Sequence, residues 1–207
     1  MFRSTLIGTC SMIVGASAAL AEGGQALPPP PPLIITEERC TAAFDCAYIG
    51  LEYGRVRGDW AQTGLTTPLA LAMEDGDALG VFAGYNWQSG NLLFGGEIRY
   101  LSFNDFATAA GLPFEVDNVL DLRARLGFAA DRALFYGAVG YSMGDATAPA
   151  GAFDIDGFNF GLGAEFNVTD AFFVGVDYTA RDMDGTLGAF TYEGDVDTLT
   201  LRFGLRF

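Results

Sequence analysis

Eleven charged side chains stand at alternate positions in segments that are otherwise apolar or small: Glu52, Glu97, Arg99, Asp121, Arg123, Arg125, Glu165, Asp177, Arg181, Arg202 and Arg206. Carboxylates and guanidinium groups in this mixture have three possible uses. They can act as general acid and base, line a charge-selective pore, or neutralise one another by paired hydrogen bonds. No spacing singles out a carboxylate pair, so no enzyme is expected. The 207 residues include no His, which excludes Ser–His and Cys–His nucleophile systems and His-ligated metals. No metal or other cofactor is expected. All 11 basic residues are arginine, against 26 acids, and a formal net charge of −15 leaves no basic footprint for nucleic acid. An apolar content of 50% excludes a disordered acidic tail.

The elements that must position these charges are strands. Leu120, Leu122, Ala124, Leu126 and Phe128 alternate with Asp121, Arg123, Arg125 and Gly127. Phe158–Val168 and Thr198–Phe207 alternate in the same way, and helical three-to-four spacing is missing. Weaker period-two patterns run over Ala47–Gly58, Leu79–Gln88 (with Phe82 out of pattern), Leu92–Phe103 and Ala171–Arg181. Leu134–Met143 is a strand by composition, with no clear facing. The total is eight. Tight turns at Ser89-Gly90, Ala130–Arg132 and Thr169-Asp170 alternate with long polar connections at Asp59–Glu74, Asn104–Glu115, Asp145–Asp156 and Asp184–Glu193. That describes an all-β, antiparallel up-and-down barrel with two unlike ends.

Volume decides which face points in. The apolar face carries about five large side chains on most strands, and an eight-stranded barrel is only just wide enough to be filled by side chains. The polar face is rich in glycine, including Gly50, Gly84, Gly163 and Gly204. Glycine inside makes room for long charged groups, and a bulky outer face of this size needs lipid as its solvent. Outward aromatics form two belts, Tyr85, Trp87, Phe94, Phe128, Phe166, Phe172 and Phe207 near one rim and Tyr53, Tyr100, Phe158 and Tyr178 near the other. A transmembrane β-barrel is therefore expected at residues 47–207. A soluble lipocalin-type carrier is the alternative, supported locally only by Gly58-Asp59-Trp60.

The chain ahead of the barrel reads as export and spacing. Residues 1–21 have Arg3, an apolar core from Leu6 and an Ala19-Leu20-Ala21 cleavage pattern, the marks of a signal peptide. The stretch is short for a helical span, which needs ~20 apolar residues. Residues 22–46 read as a periplasmic lead, extended by five prolines at 28–32. Cys40 and Cys46 suggest a local disulfide, with two free thiols as the alternative.

The segment GLGAEFNVTDAFFVGVDY (Gly161–Tyr178), the stretch YGAVGY (Tyr136–Tyr141) and the ending LRFGLRF resemble the small OmpA/OmpX-type outer-membrane barrels, above all the alphaproteobacterial outer-membrane surface-antigen group. The resemblance covers about Ala47–Phe207. It implies location in the outer membrane of a Gram-negative cell, contact with outer-membrane lipid and lipopolysaccharide, and recognition of Phe203, Leu205 and Phe207 by the barrel-insertion machinery. The Pro run and the Cys pair depart from the pattern. Full-length OmpA relatives carry a peptidoglycan-binding domain, and no such domain is expected after the last strand here. The functional expectation is a structural envelope barrel with a lumen closed by Arg–carboxylate pairs. The alternative is a small channel or ligand-binding surface receptor; with no His, haem would have to be held by aromatic stacking or Met. Surplus acids near the long connections, such as Asp145, Asp154, Asp156, Asp182 and Asp184, would hold divalent cations against lipopolysaccharide phosphates or form a solvated surface. Oligomeric state is not legible.

Overall fold

The computed structural model describes Cys40 and residues 42–64, 69–108 and 113–207. The expected signal peptide and the proline spacer lie outside the described residues. Ten strands follow in order: β1 (Cys46–Arg57), β2 (Asp59–Thr63), β3 (Leu69–Ala72), β4 (Gly76–Ser89), β5 (Leu92–Asn104), β6 (Glu115–Ala130), β7 (Ala133–Ala148), β8 (Gly151–Asn167), β9 (Phe172–Leu187) and β10 (Phe190–Arg206). Eight of them, β1 and β4–β10, pair antiparallel in sequence order, and β1 closes on β10. β2 and β3 are a hairpin that prolongs the wall: β2 continues the line of β1 past Gly58 and keeps its pairing with β10.

Closure has a measurable stagger. Partners followed from Gly50 through Phe82, Arg99, Asp121, Ser142, Gly157, Met183 and Gly194 end on Trp60, ten residues further along the same strand line. Such a shift requires tilted strands, and a tilted eight-stranded barrel leaves room inside for side chains and little else. At the tight-turn rim, Gly90 and Asp131 take left-handed φ values of 61° and 53°, which two-residue hairpin turns demand.

The strands alternate as their period implies, bulky residues out and charged or small residues in. Leu126 and Leu162 are 68% and 69% exposed, while Arg99 and Arg202 are 0% exposed. Leu134, Tyr136, Ala138 and Ser142 of β7 point inward and Phe135, Val139 and Tyr141 outward, which settles the facing of that strand. An apolar wall of this extent requires hydrocarbon around it.

Three expectations need correction. Asp145–Asp156 and Asp184–Glu193 are strand for most of their length, reversing only at residues 149–150 and 188–189. Their outward acids give a loop-like composition, but Ala146, Ala148, Phe153, Ile155, Gly185 and Tyr192 keep the inward period. Asp59–Glu74 likewise contains β2 and β3. Phe82 is no fault in β4; it points inward against Tyr48 and Phe173. The inward glycines serve rings as well as charges. A Cβ on Gly50 or Gly204 would fall on the ring of Phe82 or Phe173, and one on Gly163 on that of Tyr136.

The interior is therefore layered. An apolar core fills the end away from the tight turns, built from Val56, Trp60, Leu101, Phe106, Phe114, Phe153, Met183, Tyr192 and others. Phe114 stacks on Tyr192 with ring centroids 5.5 Å apart. Aromatic and aliphatic side chains, among them Phe44, Leu93, Leu134 and Phe173, close the tight-turn end. The charges lie between.

Candidate functional site

All eleven charged residues singled out in the sequence project into this middle layer, and their contacts join them into one network. Asp121 on β6 accepts from Arg99 Nε at 2.9 Å and from Arg181 Nε and Nη2 at 3.0 and 2.8 Å. Asp177 on β9 accepts from Arg99 Nη1 at 2.8 Å and from Arg123 Nη1 and Nη2, both at 3.1 Å. Glu97 on β5 meets Arg123 closely, Arg202 Nη2 at 2.5 Å and Arg125 Nη1 at 3.3 Å. Glu165 on β8 takes Arg125 Nη2 at 2.6 Å and a close contact from Arg206. Glu52 on β1 lies 3.5 Å from Arg99 Nε and accepts the Thr200 hydroxyl at 2.9 Å.

Five carboxylates against six guanidinium groups leave a formal surplus of one positive charge. Charges this deeply buried are tolerated only when each is paired and its remaining hydrogen-bonding capacity is used. Hydroxyls that the sequence reading did not single out supply part of that capacity. Tyr136 donates to Asp177 Oδ2 at 2.6 Å and accepts from Arg202 Nη1 at 2.6 Å. Tyr48 donates to Glu97 Oε2 at 3.0 Å and accepts from Arg125 Nη1 at 2.5 Å. Ser142 donates to Asp121, Arg123 donates to Thr179, and Arg181 donates to Thr198. The guanidinium of Arg125 also lies 3.7 Å from the Tyr136 ring centroid, and that of Arg202 3.7 Å from the ring of Phe82. Strand parity carried a signal for these residues. Tyr48 shares the facing of Glu52, and Thr179 that of Asp177.

Every carboxylate of this layer has an arginine nitrogen within 3.5 Å, and Glu52 Oε1, at that limit, makes no hydrogen bond. Each is engaged by arginine, and the layers above and below are apolar. The arrangement pairs buried acids with buried arginines across the middle of the barrel.

Cys40 and Cys46 are joined in a disulfide, with Cα atoms 5.0 Å apart. Phe203, Leu205 and Phe207 all point outward at the end of the closing strand. Toward the end of the strands away from the tight turns, the outward face of β7–β10 sets acid against acid: Asp145 opposite Asp154, Asp156 opposite Asp184, and Asp182 opposite Asp195. Like charges directly opposed destabilise a ladder. Partial burial raises the pKa of Asp195 above the ordinary aspartate value, and Asp182, Asp197 and Asp59 raise it further.

Residues 33–207 match the family model described as outer membrane protein beta-barrel domain. A "22 kDa outer membrane protein" of Rhizobium leguminosarum bv. viciae is 29% identical over 136 residues, covering 61% of this chain and 64% of that protein. The chain thus aligns with less than two thirds of that relative's length. Among solved structures, Ail, the attachment invasion locus protein of Yersinia pestis, is similar over 78% of this chain and 99% of its own, at 16% identity and a TM-score of 0.45. Neisserial surface protein A is similar over 78% and 97%, at 13% identity and a TM-score of 0.49.

Proposed function

The chain belongs to the outer-membrane β-barrel family and resides in the outer membrane, and from that premise we propose that it is a non-conducting structural barrel, contributing to envelope integrity or surface interaction without catalytic turnover. The observation that supports this reading is the buried side-chain interior: eleven charges joined by ion pairs in the middle, with apolar clusters on both sides. An open aqueous channel generally takes 16–18 strands, about twice the number here. Residues 1–21 then serve as the export signal and residues 22–46 as a lead on the periplasmic side. The partners in this reading are lipid and lipopolysaccharide around the wall and the insertion machinery at Phe203, Leu205 and Phe207.

Planar-bilayer recording on the refolded protein tests the proposal, with heat-modifiable gel mobility as the check of folding. The expected record is flat under voltage. Stepwise openings, or solute uptake by liposomes carrying the protein, would favour the channel reading instead.

A further inference from the structure

The tight-turn mouth is stopped by a loop that precedes the first strand. Phe44 lies inside the ring closed by the Cys40–Cys46 bond, is 0% exposed, and packs with Leu93, Ala129, Leu134 and Tyr136. Its amide N–H donates to Gln88 Oε1 at 3.0 Å. Asn167 Nδ2 donates to the Ala43 carbonyl at 3.1 Å. The Arg206 guanidinium lies 4.7 Å from the Phe44 ring centroid. These contacts come from β4, β5, β6, β7, β8 and β10. With β1, which the loop enters, seven of the eight barrel strands touch one short ring. A connection that merely led into β1 would need none of them.

We propose that the ring is a redox-latched cork for the periplasmic mouth, with the Cys40–Cys46 disulfide as the latch and a dithiol of the thiol–disulfide oxidoreductase class as the reactant that opens it. Cys46 is 3% exposed and Cys40 is half-buried, so Cys40 Sγ is the accessible atom. A reductant thiolate attacks it, forming a mixed disulfide and expelling Cys46 as a thiolate. The second thiol of the reductant then displaces Cys40. The reductant leaves as a disulfide, and two electrons and two protons end on the two cysteines. The bond confines the short loop before it inserts; without it, holding Phe44 in place costs the loop's conformational freedom. Release opens the pocket of Leu93, Ala129 and Leu134 to the periplasm and leaves the ion-pair layer above it in place. The proposal holds whether or not the lumen conducts.

Maleimide labelling of the refolded barrel reads this directly. With the disulfide intact, the thiol introduced by Ala129→Cys is protected. In C40S/C46S/A129C it reacts at least about tenfold faster, the low end of what closing a short loop contributes. In F44A/A129C it reacts fast even with the disulfide intact, because the cork itself is missing. Each variant is scored only if it keeps heat-modifiable mobility, and Leu134→Cys supplies a second reporting position. On the unaltered protein, deuterium exchange at the Phe44 amide rises on adding dithiothreitol, while the central amides of β6–β8 do not change. Equal protection with and without the cysteine pair would show that packing alone holds the loop, and the latch would be refuted. Continued protection in F44A/A129C would refute the cork.

Discussion

Asp177→Asn is the sharpest test of the ion-pair layer. Asp177 Oδ1 accepts from Arg99 at 2.8 Å, Arg123 at 3.1 Å and Thr179 at 2.7 Å. Oδ2 accepts from Tyr136 at 2.6 Å, and Arg202 Nη1 stands 3.6 Å away. The amide keeps the shape of the carboxylate but removes its charge and turns donors toward donors. Six guanidinium groups would then face four carboxylates, doubling the positive surplus. Removing one partner of a buried pair costs about 3–5 kcal/mol. With a urea slope of about 2 kcal/mol/M, the unfolding midpoint falls by roughly 1.5–2.5 M. Equilibrium unfolding of the refolded barrel is followed by tryptophan fluorescence and by loss of the heat-modifiable band. R123M/D177N removes one charge of each sign, and should recover at least half of the loss, since apolar replacement of a whole buried pair is close to neutral. A D177N barrel within about 0.5 kcal/mol of the native one, the size of a surface effect, would mean a hydrated and screened lumen. Buried ion pairing would then not be what holds the layer together.

Three further outcomes are expected. Gly204→Val places atoms where the Phe173 ring lies and should abolish the heat-modifiable folded form on refolding. Asp195 binds its proton more tightly in the folded ribbon than in the unfolded chain, so the ribbon is most stable at low pH and loses that contribution as pH rises through the raised value. Deuterium exchange over residues 182–195, corrected for intrinsic rate, should accordingly be slower near pH 4 than near pH 7, and Asp195→Asn should remove the difference. Deleting Phe207, which is 61% exposed and donates its N–H to the Ala47 carbonyl, should lower the amount of barrel inserted in cells. It should scarcely alter the unfolding of barrel refolded in vitro, since a recognition signal acts before the fold exists.

The barrel was legible because its two faces differ so strongly in size and charge. Leu120–Phe128 and Phe158–Val168 show the alternation without a fault, and the inversion followed from side-chain volume rather than from any motif. The eleven charges were legible for the same reason, since parity places each of them on the inner face. Parity does not tell which acid meets which arginine. Asp177 and Arg99 are 78 residues apart, and their 2.8 Å contact depends on the ten-residue stagger of the closed sheet. The extensions at 145–156 and 184–193 were misread because outward acids on a solvated ribbon have the composition of a loop. Phe82, Tyr48 and Phe173 were legible in principle. Each keeps the parity of neighbouring glycines, and an inward aromatic beside an inward glycine is a packing pair rather than an error in the pattern.

A barrel interior could be packed more cheaply with apolar residues alone, as the layers above and below the charges demonstrate. A buried ionic layer adds little net stability over such a core. What it adds is a penalty against the wrong register. Side chains alternate with period two, so a one-residue slip of β6 turns Asp121, Arg123 and Arg125 outward together, along with the unpaired groups they leave behind. An arginine on the lipid face near the bilayer midplane costs about 2–4 kcal/mol, so two of them alone approach the total stability of many small domains. An all-apolar interior would carry no such penalty, because its side chains are as acceptable to lipid as the outer ones. The charges therefore mark the inside of a barrel whose two surfaces would otherwise be interchangeable. They do so on β1, β5, β6, β8, β9 and β10, which leaves few strands free to slip unpunished. Of the eight strands that close the barrel, β4 and β7 lack an inward charge in this layer, and there the inward rings of Phe82 and Tyr136 fit over Gly50 and Gly163 of neighbouring strands, fixing register by shape instead.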